Sequence, residues 1–231
     1  MKKRRVIIVL IVIAVLLIIV FINILIKPRQ ATYTKDEKDV KDLYAYMYKS
    51  RIDSLQSLDP LVRARTAVEL GNIGKNAEIA IPYLVKMLND DVLLELRRFD
   101  GEKLYQYTSP GKEAAIALGK IGGSAIDSLI NALKSKPTEI RVNAINGLCE
   151  SQDSCAVEPL ISLLKDDNYY IRRVAISALG KIADKRVIDP LVNTMLSDTS
   201  EINRVEATQV LEKLRGQEFV QNIKEWWNKK K

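Results

Sequence analysis

The amino-acid sequence predicts an all-α protein: an α-solenoid of about five helix pairs with a small β-hairpin insertion, preceded by one transmembrane helix. Three observations predict this fold. Residues 6–26 are almost entirely apolar, and leucines recur with a period of about 31 residues through most of the remaining chain. At the one long interruption of that period, alternating polar and apolar residues flank Asp100-Gly101.

The apolar segment Val6–Ile26 contains a single polar residue, Asn23. As a helix it would extend about 31 Å, which is enough to cross a bilayer. A cleaved signal peptide is the alternative, but the run is longer than the apolar region of such peptides, and Arg29 is unsuited to the cleavage motif that Ala31 would end. We therefore expect an uncleaved signal anchor.

Basic residues lie on both sides of this segment, so their number alone does not fix its orientation. The tail 1–5 is short and carries four fixed positive charges, whereas a long C-terminal domain is translocated largely regardless of its charge. We expect a single-pass membrane protein with its N-terminus in the cytoplasm and its repeat domain outside the cytoplasm. Residues 27–35 would form the linker between them.

The charge distribution argues against a nucleic-acid partner. The chain has 36 Lys and Arg against 29 Asp and Glu, but six of the basic residues flank the apolar segment. Residues 30–231 are therefore close to neutral, and three of their basic residues are the terminal lysines 229–231. No basic field remains that could collect phosphates.

The residue types needed for common catalytic sites are missing. The chain contains no histidine, which is the commonest general base and a frequent zinc ligand. The segment TSPGK lacks the spacing of a phosphate-binding loop. The acidic pairs Asp90-Asp91 and Asp166-Asp167 fall at repeat junctions, where helix capping explains them better than a metal or acid–base role. We expect no enzymatic activity, no cofactor and no metal.

Residues 36–58 are predicted to form an N-terminal capping helix. Thr34 and Glu37 have the spacing of a capping box, and apolar residues follow at helical spacing. Solenoids need terminal caps with a polar outer face. Tyr44, Tyr46 and Tyr48 could instead stack on a ligand, although tyrosine is ordinary at a cap surface.

Two series of leucines define the repeats in residues 59–231. Spacings are 48, 30, 31 and 32 residues in the first series and 45, 31 and 31 in the second. The first series is Leu70, Leu118, Leu148, Leu179 and Leu211, and the second is Leu84, Leu129, Leu160 and Leu191. Apolar residues recur around them at three- and four-residue steps, which predicts two helices per repeat. Such pairs must stack to bury their apolar stripes, and the second helices would line a concave surface.

The motifs around these leucines resemble the HEAT repeat family, particularly its short form first noted in phycobilin lyases. An aspartate and an aliphatic-Arg pair precede an alanine and then a Leu-Gly pair, and a proline precedes the leucine of the second helix. The first motif is carried by Asp59, Val62, Arg63, Ala67, Leu70 and Gly71, and again by Asp167, Ile171, Arg172, Ala175, Leu179 and Gly180. The second is carried by Pro82 with Leu84, Pro159 with Leu160, and Pro190 with Leu191.

The resemblance covers about residues 59–215 and implies an armadillo-like helical fold. The ending LRGQEFVQNIKEWW also looks like the terminus of some bacterial members, in which it seals the last repeat. We therefore expect a C-terminal cap at about residues 216–228.

Four arginines keep the phase of the leucines, and we call them the arginine ladder: Arg63, Arg141, Arg172 and Arg204. They could form a positive stripe for an anionic ligand. Each has an acidic neighbour, at Asp59, Glu139, Asp167 or Glu201, so we expect structural ion pairing between repeats instead. Gly111 holds the equivalent position in the second repeat, where the ladder is interrupted.

The interruption coincides with an insertion at about residues 92–108. Asp100-Gly101 between two alternating runs is a strong signal for a two-residue hairpin. That turn would place Leu96 opposite Tyr105 and Leu94 opposite Tyr107, while Ser109 would cap the next helix. An insertion in a repeat array commonly lies on the binding face, although a surface elaboration is an equal alternative. The candidate binding residues are Arg98, Phe99, Lys103 and Tyr105.

The two cysteines, Cys149 and Cys155, lie on either side of a predicted turn between two helices. In an oxidising compartment they could form a disulfide, and otherwise they would be two partly buried thiols. Taken together, the sequence predicts a membrane-anchored scaffold that binds a protein partner. A lyase- or chaperone-like factor is the alternative, implied only by the resemblance to phycobilin lyase repeats.

Overall fold

The computed structural model describes residues 46, 48–97 and 103–230. Several predictions lie outside these residues: the tail 1–5, the transmembrane segment 6–26, the linker 27–35, the Thr34–Glu37 capping box, Tyr44, and the hairpin turn at 98–102. The fold is therefore described from the end of the predicted capping helix onward.

Within the described residues, five successive helix pairs follow a short helical segment at 48–54. The first helices of the pairs are α1 (Pro60–Ile73), α3 (Pro110–Ile121), α5 (Thr138–Ser151), α7 (Tyr169–Ile182) and α9 (Glu201–Arg215). The second helices are α2 (Ile81–Met87), α4 (Ser124–Ala132), α6 (Val157–Ser162), α8 (Ile188–Ser197) and α10 (Gln217–Lys230). Short 3₁₀ segments lie at Gly74–Ala80, Ser154–Ala156, Leu163–Lys165 and Lys185–Val187.

The pairs stack in the order of the sequence. Each of the first helices α1, α3, α5 and α7 packs against the next first helix, and each of the second helices α2, α4, α6 and α8 packs against the first helix of the following pair. Both predicted series of leucines are fully buried in one continuous core. The all-helical repeat solenoid predicted from the leucine period is thus confirmed.

Close approach of the first helices depends on small residues in the repeated Leu-Gly motif. A Cβ built on Gly119 of α3 would lie 2.2 Å from the carbonyl oxygen of Gly147 in α5. A Cβ on Gly147 would in turn lie 2.4 Å from the carbonyl oxygen of Ala115. No side chain fits between two backbones at these distances, so glycine sets the separation of α3 and α5.

The predicted hairpin is present as two antiparallel strands, β1 (Leu94–Arg97) and β2 (Lys103–Thr108), but its predicted register is wrong. Leu94 pairs with Thr108, Glu95 with Tyr107 and Arg97 with Lys103. Between the last two pairs β1 advances by two residues and β2 by four, so the strands contain a bulge that the assumption of an ideal two-residue turn did not include.

The end of β2 is fixed to the following helix. The hydroxyl of Thr108, which is buried, donates a hydrogen bond to the Glu113 carboxylate. Ser109 is the N-cap of α3, its hydroxyl accepting a hydrogen bond from the Lys112 N–H (3.2 Å), and Pro110 is the first helical residue. The predicted start of this helix is confirmed.

Apolar residues also join both ends of the described chain to the core. Tyr48, Ile52 and Leu55 are buried on the N-terminal side, and Val220 of α10 is buried on the C-terminal side. Because Tyr48 is buried, it cannot be part of a tyrosine surface that stacks on a ligand, which was the alternative expectation. Tyr46 is 81% exposed.

The membrane localisation predicted from the sequence is corrected by the described helices. In residues 46, 48–97 and 103–230, none is both long and apolar enough to cross a bilayer. The longest of them, α9, has 15 residues and extends about 22 Å, short of a hydrocarbon core of about 30 Å. The segment 6–26, on which the prediction was based, lies outside the described residues.

Candidate functional site

The exposed side of the second helices carries a repeated set of side chains, and we call this surface, on α2, α4, α6 and α8, the second-helix face. One position after each leucine of the second series is a half-buried aliphatic residue: Val85, Ile130, Ile161 and Val192. Two positions after each leucine is an exposed polar residue: Lys86, Asn131, Ser162 and Asn193. The same helical register that buries the leucines therefore places a polar row beside an aliphatic row.

A groove of about 270 Å³ lies between α2 and α4, and we call it groove N. One wall consists of Val85, Lys86, Leu88 and Asn89, and the other of Ser128, Asn131, Ala132 and Ser135, and Ile140 of α5 also lines the groove. Among the described residues that line groove N, Lys86 is the one with a charge, and the others are aliphatic or neutral.

A larger groove of about 580 Å³ lies between α6 and α8, and we call it groove C. One wall consists of Ile161, Leu164 and Lys165, and the other of Pro190, Asn193, Thr194 and Ser197. The remaining lining residues are polar: Asp166, Asp167, Arg172, Asp198 and Thr199. Three carboxylates and two cations therefore line groove C.

The two grooves are built at equivalent repeat positions. Counted from the buried leucine of each helix, Val85 and Leu88 of groove N correspond to Ile161 and Leu164 of groove C. On the opposite walls, Asn131 corresponds to Asn193 and Ser135 to Ser197. Grooves two repeats apart thus share an aliphatic wall and an asparagine wall, and differ in the additional charged residues that line groove C.

The asparagines of these walls are free to bind a ligand. Among the described residues, neither the Asn131 nor the Asn193 side chain forms a hydrogen bond, and both side chains are exposed. Ser162, which holds the equivalent position in α6, donates its hydroxyl hydrogen to the Pro159 carbonyl (2.6 Å) and keeps its oxygen lone pairs for a donor.

The arginine ladder fixes the turns beside these grooves. In each ladder residue, one terminal nitrogen donates to the backbone carbonyl six residues earlier, in the turn that precedes its helix. The acceptors are Ser57 for Arg63 (2.7 Å), Ser135 for Arg141 (3.1 Å), Asp166 for Arg172 (2.9 Å) and Asp198 for Arg204 (2.7 Å). The ladder therefore holds four successive turns between repeats.

Three ladder arginines also reach the turn that follows their repeat. Arg63 pairs with Asp90 (2.6 Å), Arg141 with Asp166 (3.5 Å) and Arg172 with Asp198 (2.8 Å). The carboxylates predicted from sequence proximity, Asp59, Glu139, Asp167 and Glu201, are not these partners. An arginine at the start of a first helix points across its own repeat, so its partner lies about one repeat further along the chain.

Arg172 and Asp198 form the most enclosed of these pairs in the described part of the chain, with side chains 10% and 3% exposed. Burial opposes ionisation of Asp198, but hydrogen bonds from Arg172, the Ser200 N–H and Asn203 outweigh it and hold the pKa below its ordinary value. The hydrogen bond with Asp198 raises the pKa of Arg172 despite its burial. The guanidinium already donates hydrogen bonds to Asp166, Asp167, Asp198 and Thr199. Its role is therefore structural.

Backbone and amide contacts replace the ladder where Gly111 interrupts it. The Gly111 N–H donates to the Asp90 carbonyl (2.8 Å), and the Asn143 side chain donates to the Leu88 carbonyl (3.0 Å). A Cβ on Gly111 would lie 2.9 Å from the Asp90 carbonyl oxygen, so an arginine would not fit there. The turn that leads into the hairpin is thus held at both of its ends.

The remaining sequence-predicted residues lie apart from the grooves or outside the described residues. Arg98 and Phe99 are outside the described residues, and Lys103 and Tyr105 lie on β2. Their role in binding stays a prediction. In the described residues, no group of three or more Cys, Asp or Glu side chains is placed to hold a metal ion.

Both cysteines are free thiols, Cys149 half-buried and Cys155 exposed. Burial raises the pKa of Cys149, and the hydrogen bond with Asp153 raises that of Cys155, so both thiols stay protonated at neutral pH. A disulfide was expected only in an oxidising compartment, and that compartment followed from the predicted membrane localisation.

Comparison with known families supports the repeat assignment over part of the chain. Residues 126–212 match the family of HEAT repeats, and residues 112–135 match the PBS lyase HEAT-like repeat. Together these matches begin within α3 and end within α9, so they include the first helices of the second to the fifth pair. The resemblance predicted over residues 59–215 is thereby supported for residues 112–212. A comparison with curated protein sequences gives no significant match.

Solved structures with a similar arrangement include a chain of the complex of CpcE and CpcF of phycocyanin lyase from Nostoc sp. PCC7120. That chain is 25% identical, with a TM-score of 0.48 over 74% of this protein and 65% of the lyase chain. This protein thus spans less than two thirds of the lyase chain.

Two engineered proteins are also similar. One is a designed armadillo repeat protein in complex with the peptide (KR)4, with 16% identity, a TM-score of 0.40, and coverage of 79% of this chain and 88% of the other. A second engineered protein has 21% identity, a TM-score of 0.42, and coverage of 73% and 79%.

Proposed function

We propose that the repeat domain is a scaffold that binds a protein partner through the second-helix face. The observation that carries this proposal is the pair of equivalent grooves, each with an aliphatic wall and an unpaired asparagine wall. The stack does not need these exposed amides, because its leucines are already buried and its turns are already held by the arginine ladder. Apolar grooves with a few convergent polar groups are the usual form of a binding site.

The hairpin is proposed as a second contact region for the same partner. Arg98, Phe99, Lys103 and Tyr105 keep the role expected from the sequence, because the insertion is the one long departure from the repeat period and repeats that stack around it do not require it. The anchoring of Thr108 on Glu113 supports this proposal, since it fixes the base of the hairpin to α3.

Substitutions that fill the grooves without touching the core test the proposal. Asn131→Arg and Asn193→Arg each place a long cation in a groove wall, and Gln209→Arg on the exposed side of α9 is the matched control. We expect both groove variants to fold normally and to lose most partner binding, measured by quantitative mass spectrometry of proteins that co-purify from the native host. Equal recovery of partners by all four proteins would contradict the proposal.

A lyase-like factor is a second candidate, favoured by the match of residues 112–135 to the PBS lyase HEAT-like repeat. The expectation that the chain is not an enzyme therefore stays a prediction. Incubation of the purified full chain with a free bilin tetrapyrrole separates the candidates. A bilin absorption band that co-elutes with the protein would support the lyase-like role, and an unchanged protein spectrum would support the scaffold.

A further inference from the structure

Independently of the second-helix face, we propose that two copies of this chain associate through the outer surface of their last two repeats. Four large apolar residues at the starts of α7 and α9 carry this proposal, and we call them the terminal patch: Tyr169, Tyr170, Ile202 and Val205. Each of them is 44–52% exposed. The partner is a second copy with the same patch, related to the first by a two-fold axis.

The terminal patch lies at equivalent repeat positions on two neighbouring helices. Tyr170 stands two residues before the ladder arginine of α7, and Ile202 stands two residues before that of α9. The Asn203 amide donates a hydrogen bond to the Tyr169 carbonyl (3.1 Å), which holds the start of α9 against the start of α7. Ile202 and Val205 are three residues apart and therefore share one side of α9. The patch thus extends across the starts of two packed helices.

The position of Val205 shows why a first helix of another chain would fit against it. Val205 directly follows the ladder arginine of α9. Where another first helix follows in the stack, the equivalent residue is covered or is paired with that helix: Ala64 is buried, Val142 is half-buried, and Arg173 pairs with Glu206 of α9 (3.4 Å). Within the described residues no first helix follows α9, and Val205 is 50% exposed. An apolar side chain at this position indicates that a helix from another molecule covers it.

The size of the terminal patch fits the centre of a small interface. A side chain of this size presents about 150–250 Å² when it is fully exposed, so four that are half-exposed present roughly 300–500 Å². A standard interface buries about 800 Å² on each partner. The patch therefore accounts for about half of that area, and polar residues at its border supply the rim that such interfaces have: Asn168, Arg173, Glu201 and Glu206.

The charges at the border of the patch favour a second copy over a partner with a single sign of charge. Arg173 and Glu206 form an ion pair there, with side chains 47% and 26% exposed. A surface that carries both signs side by side is complementary to itself under a two-fold rotation, because the cation of each copy can face the anion of the other. A strongly acidic or strongly basic partner would instead meet a like charge. A two-fold contact also uses the same patch on both copies, so the association closes at two chains.

Sedimentation velocity of the purified full chain at a series of concentrations tests the proposal. We expect a monomer–dimer equilibrium. Val205→Asp should raise its dissociation constant about tenfold or more, because a carboxylate would lose its water within the contact. Val68→Asp is the matched control, since it changes a valine of α1 that is 38% exposed, and it should leave the dissociation constant unchanged. A chain that stays monomeric at every concentration, or a Val205→Asp protein that dimerises like the wild type, would overturn the proposal.

A milder variant keeps the test valid if Val205→Asp does not fold. Tyr170→Ala removes an exposed ring without adding a charge, and it should weaken the dimer about threefold to tenfold while the circular dichroism spectrum stays that of the wild type. An undiminished dimer of the folded Tyr170→Ala protein would count against the patch. Asn131→Arg on the second-helix face should dimerise normally, so the dimer and the scaffold proposal can fail separately.

Photocrosslinking identifies what covers the patch in the native host. A benzoylphenylalanine at Val205 of the full chain should give a product of twice the chain mass in which mass spectrometry finds peptides of this chain alone. Products that always contain a different protein would show that the patch has another partner, and the two-fold association would be wrong.

Discussion

Arg172 shows at the scale of one residue why arginine occupies the ladder positions. Its planar guanidinium reaches two backbone carbonyls of the preceding turn, two carboxylate oxygens of Asp198 and the hydroxyl of Thr199. A lysine ammonium has three donors on one atom and could not bridge two turns in this way. One side chain therefore links the start of its repeat to the end of the same repeat.

Removal of this side chain should destabilise the domain strongly. Arg172→Ala leaves Asp198 as a buried and unpaired carboxylate, and we expect a loss of about 3–5 kcal/mol in the free energy of unfolding. The exposed pair of Arg173 with Glu206 provides the control, and Arg173→Ala should cost less than about 1 kcal/mol. Urea unfolding followed by circular dichroism measures both, and similar losses would contradict a special role of Arg172.

The Asp198 carboxylate makes the stability depend on pH. Its pKa in the folded protein lies below the ordinary value of 3.8, so the folded state binds this proton more weakly than the unfolded state. The resulting stabilisation is present above 3.8 and is lost as the pH falls through the folded pKa. We expect the stability difference between the wild type and Asp198→Asn to be constant above about pH 5 and to narrow below 3.8.

The pH series has a clear contrary outcome. If the difference between the two proteins stays the same down to pH 2.5, the ionisation of Asp198 does not contribute to folding. Asp184, whose pKa is lowered to about 2 by the hydrogen bonds from Arg186, has a side chain that is 24% exposed, against 3% for Asp198, so Asp184→Asn serves as a comparison in which a less enclosed carboxylate is removed.

Residues that repeat with the leucine period could be predicted from the sequence, and their partners could not. The repeat spacing of Arg63, Arg141 and Arg172 was visible in the sequence. Their partners Asp90, Asp166 and Asp198 follow the second helix of each repeat, and other acidic residues are closer to the arginines in the sequence. Asn131 and Asn193 were missed, although their constant offset from the buried leucines was a signal in the sequence. Their importance depends on exposure and on the absence of internal partners, which periodicity alone does not report.

At the scale of the helices, glycine sets how closely neighbouring repeats approach. Gly119 and Gly147 face each other across α3 and α5, and each would direct a Cβ into a backbone carbonyl of the other helix. The Leu-Gly motif therefore has a packing role in addition to its place in the repeat pattern.

Gly119→Ala tests this packing by the sign of its effect. In a helix without close neighbours the substitution would stabilise by about 1 kcal/mol, because alanine is the better helix former. Here a Cβ at 2.2 Å from the Gly147 oxygen must move α3 and α5 apart, and we expect destabilisation of about 1–3 kcal/mol. Lys112→Ala in the same helix is the control, and a stabilised Gly119→Ala protein would show that the contact is not tight.

The hairpin shows where local sequence rules are insufficient. Asp100-Gly101 correctly indicated two antiparallel strands, but the register depends on the bulge between Glu95 and Arg97 and on the buried Thr108 at the end of β2. Thr108 is held by its hydrogen bond to Glu113 of α3, and a turn rule contains neither this tertiary contact nor the bulge.

Replacement of Arg98, Phe99 and Lys103 by alanine separates a binding role of the hairpin from a packing role. If the hairpin contributes to binding, the melting temperature should change by less than about 2 °C, while recovery of the partner per folded molecule falls about tenfold or more. The control is Lys75→Ala. Lys75 is exposed and lies in the 3₁₀ segment that follows α1, outside the hairpin. A large decrease in melting temperature with unchanged recovery would instead identify the insertion as a packing element.

At the scale of the whole molecule, the period of the leucines was sufficient to predict a continuous stack of five helix pairs. Each pair leaves an apolar stripe that the next pair covers, so the number of repeats in the sequence determines the number in the fold. The two grooves of the second-helix face could not be predicted in the same way. They lie between elements of different repeats, and their volume and polarity depend on how closely those helices approach.

Site-specific photocrosslinking can show whether the partner binds the second-helix face. A benzoylphenylalanine is introduced singly at Asn131, Ser162 or Asn193 on that face and at Asn146 or Gln209 on the first helices, in the full chain expressed in its native host. We predict discrete crosslinked products with one common partner from all three second-helix positions and none from the first-helix positions. Crosslinks to that partner only from Asn146 and Gln209 would contradict the claim.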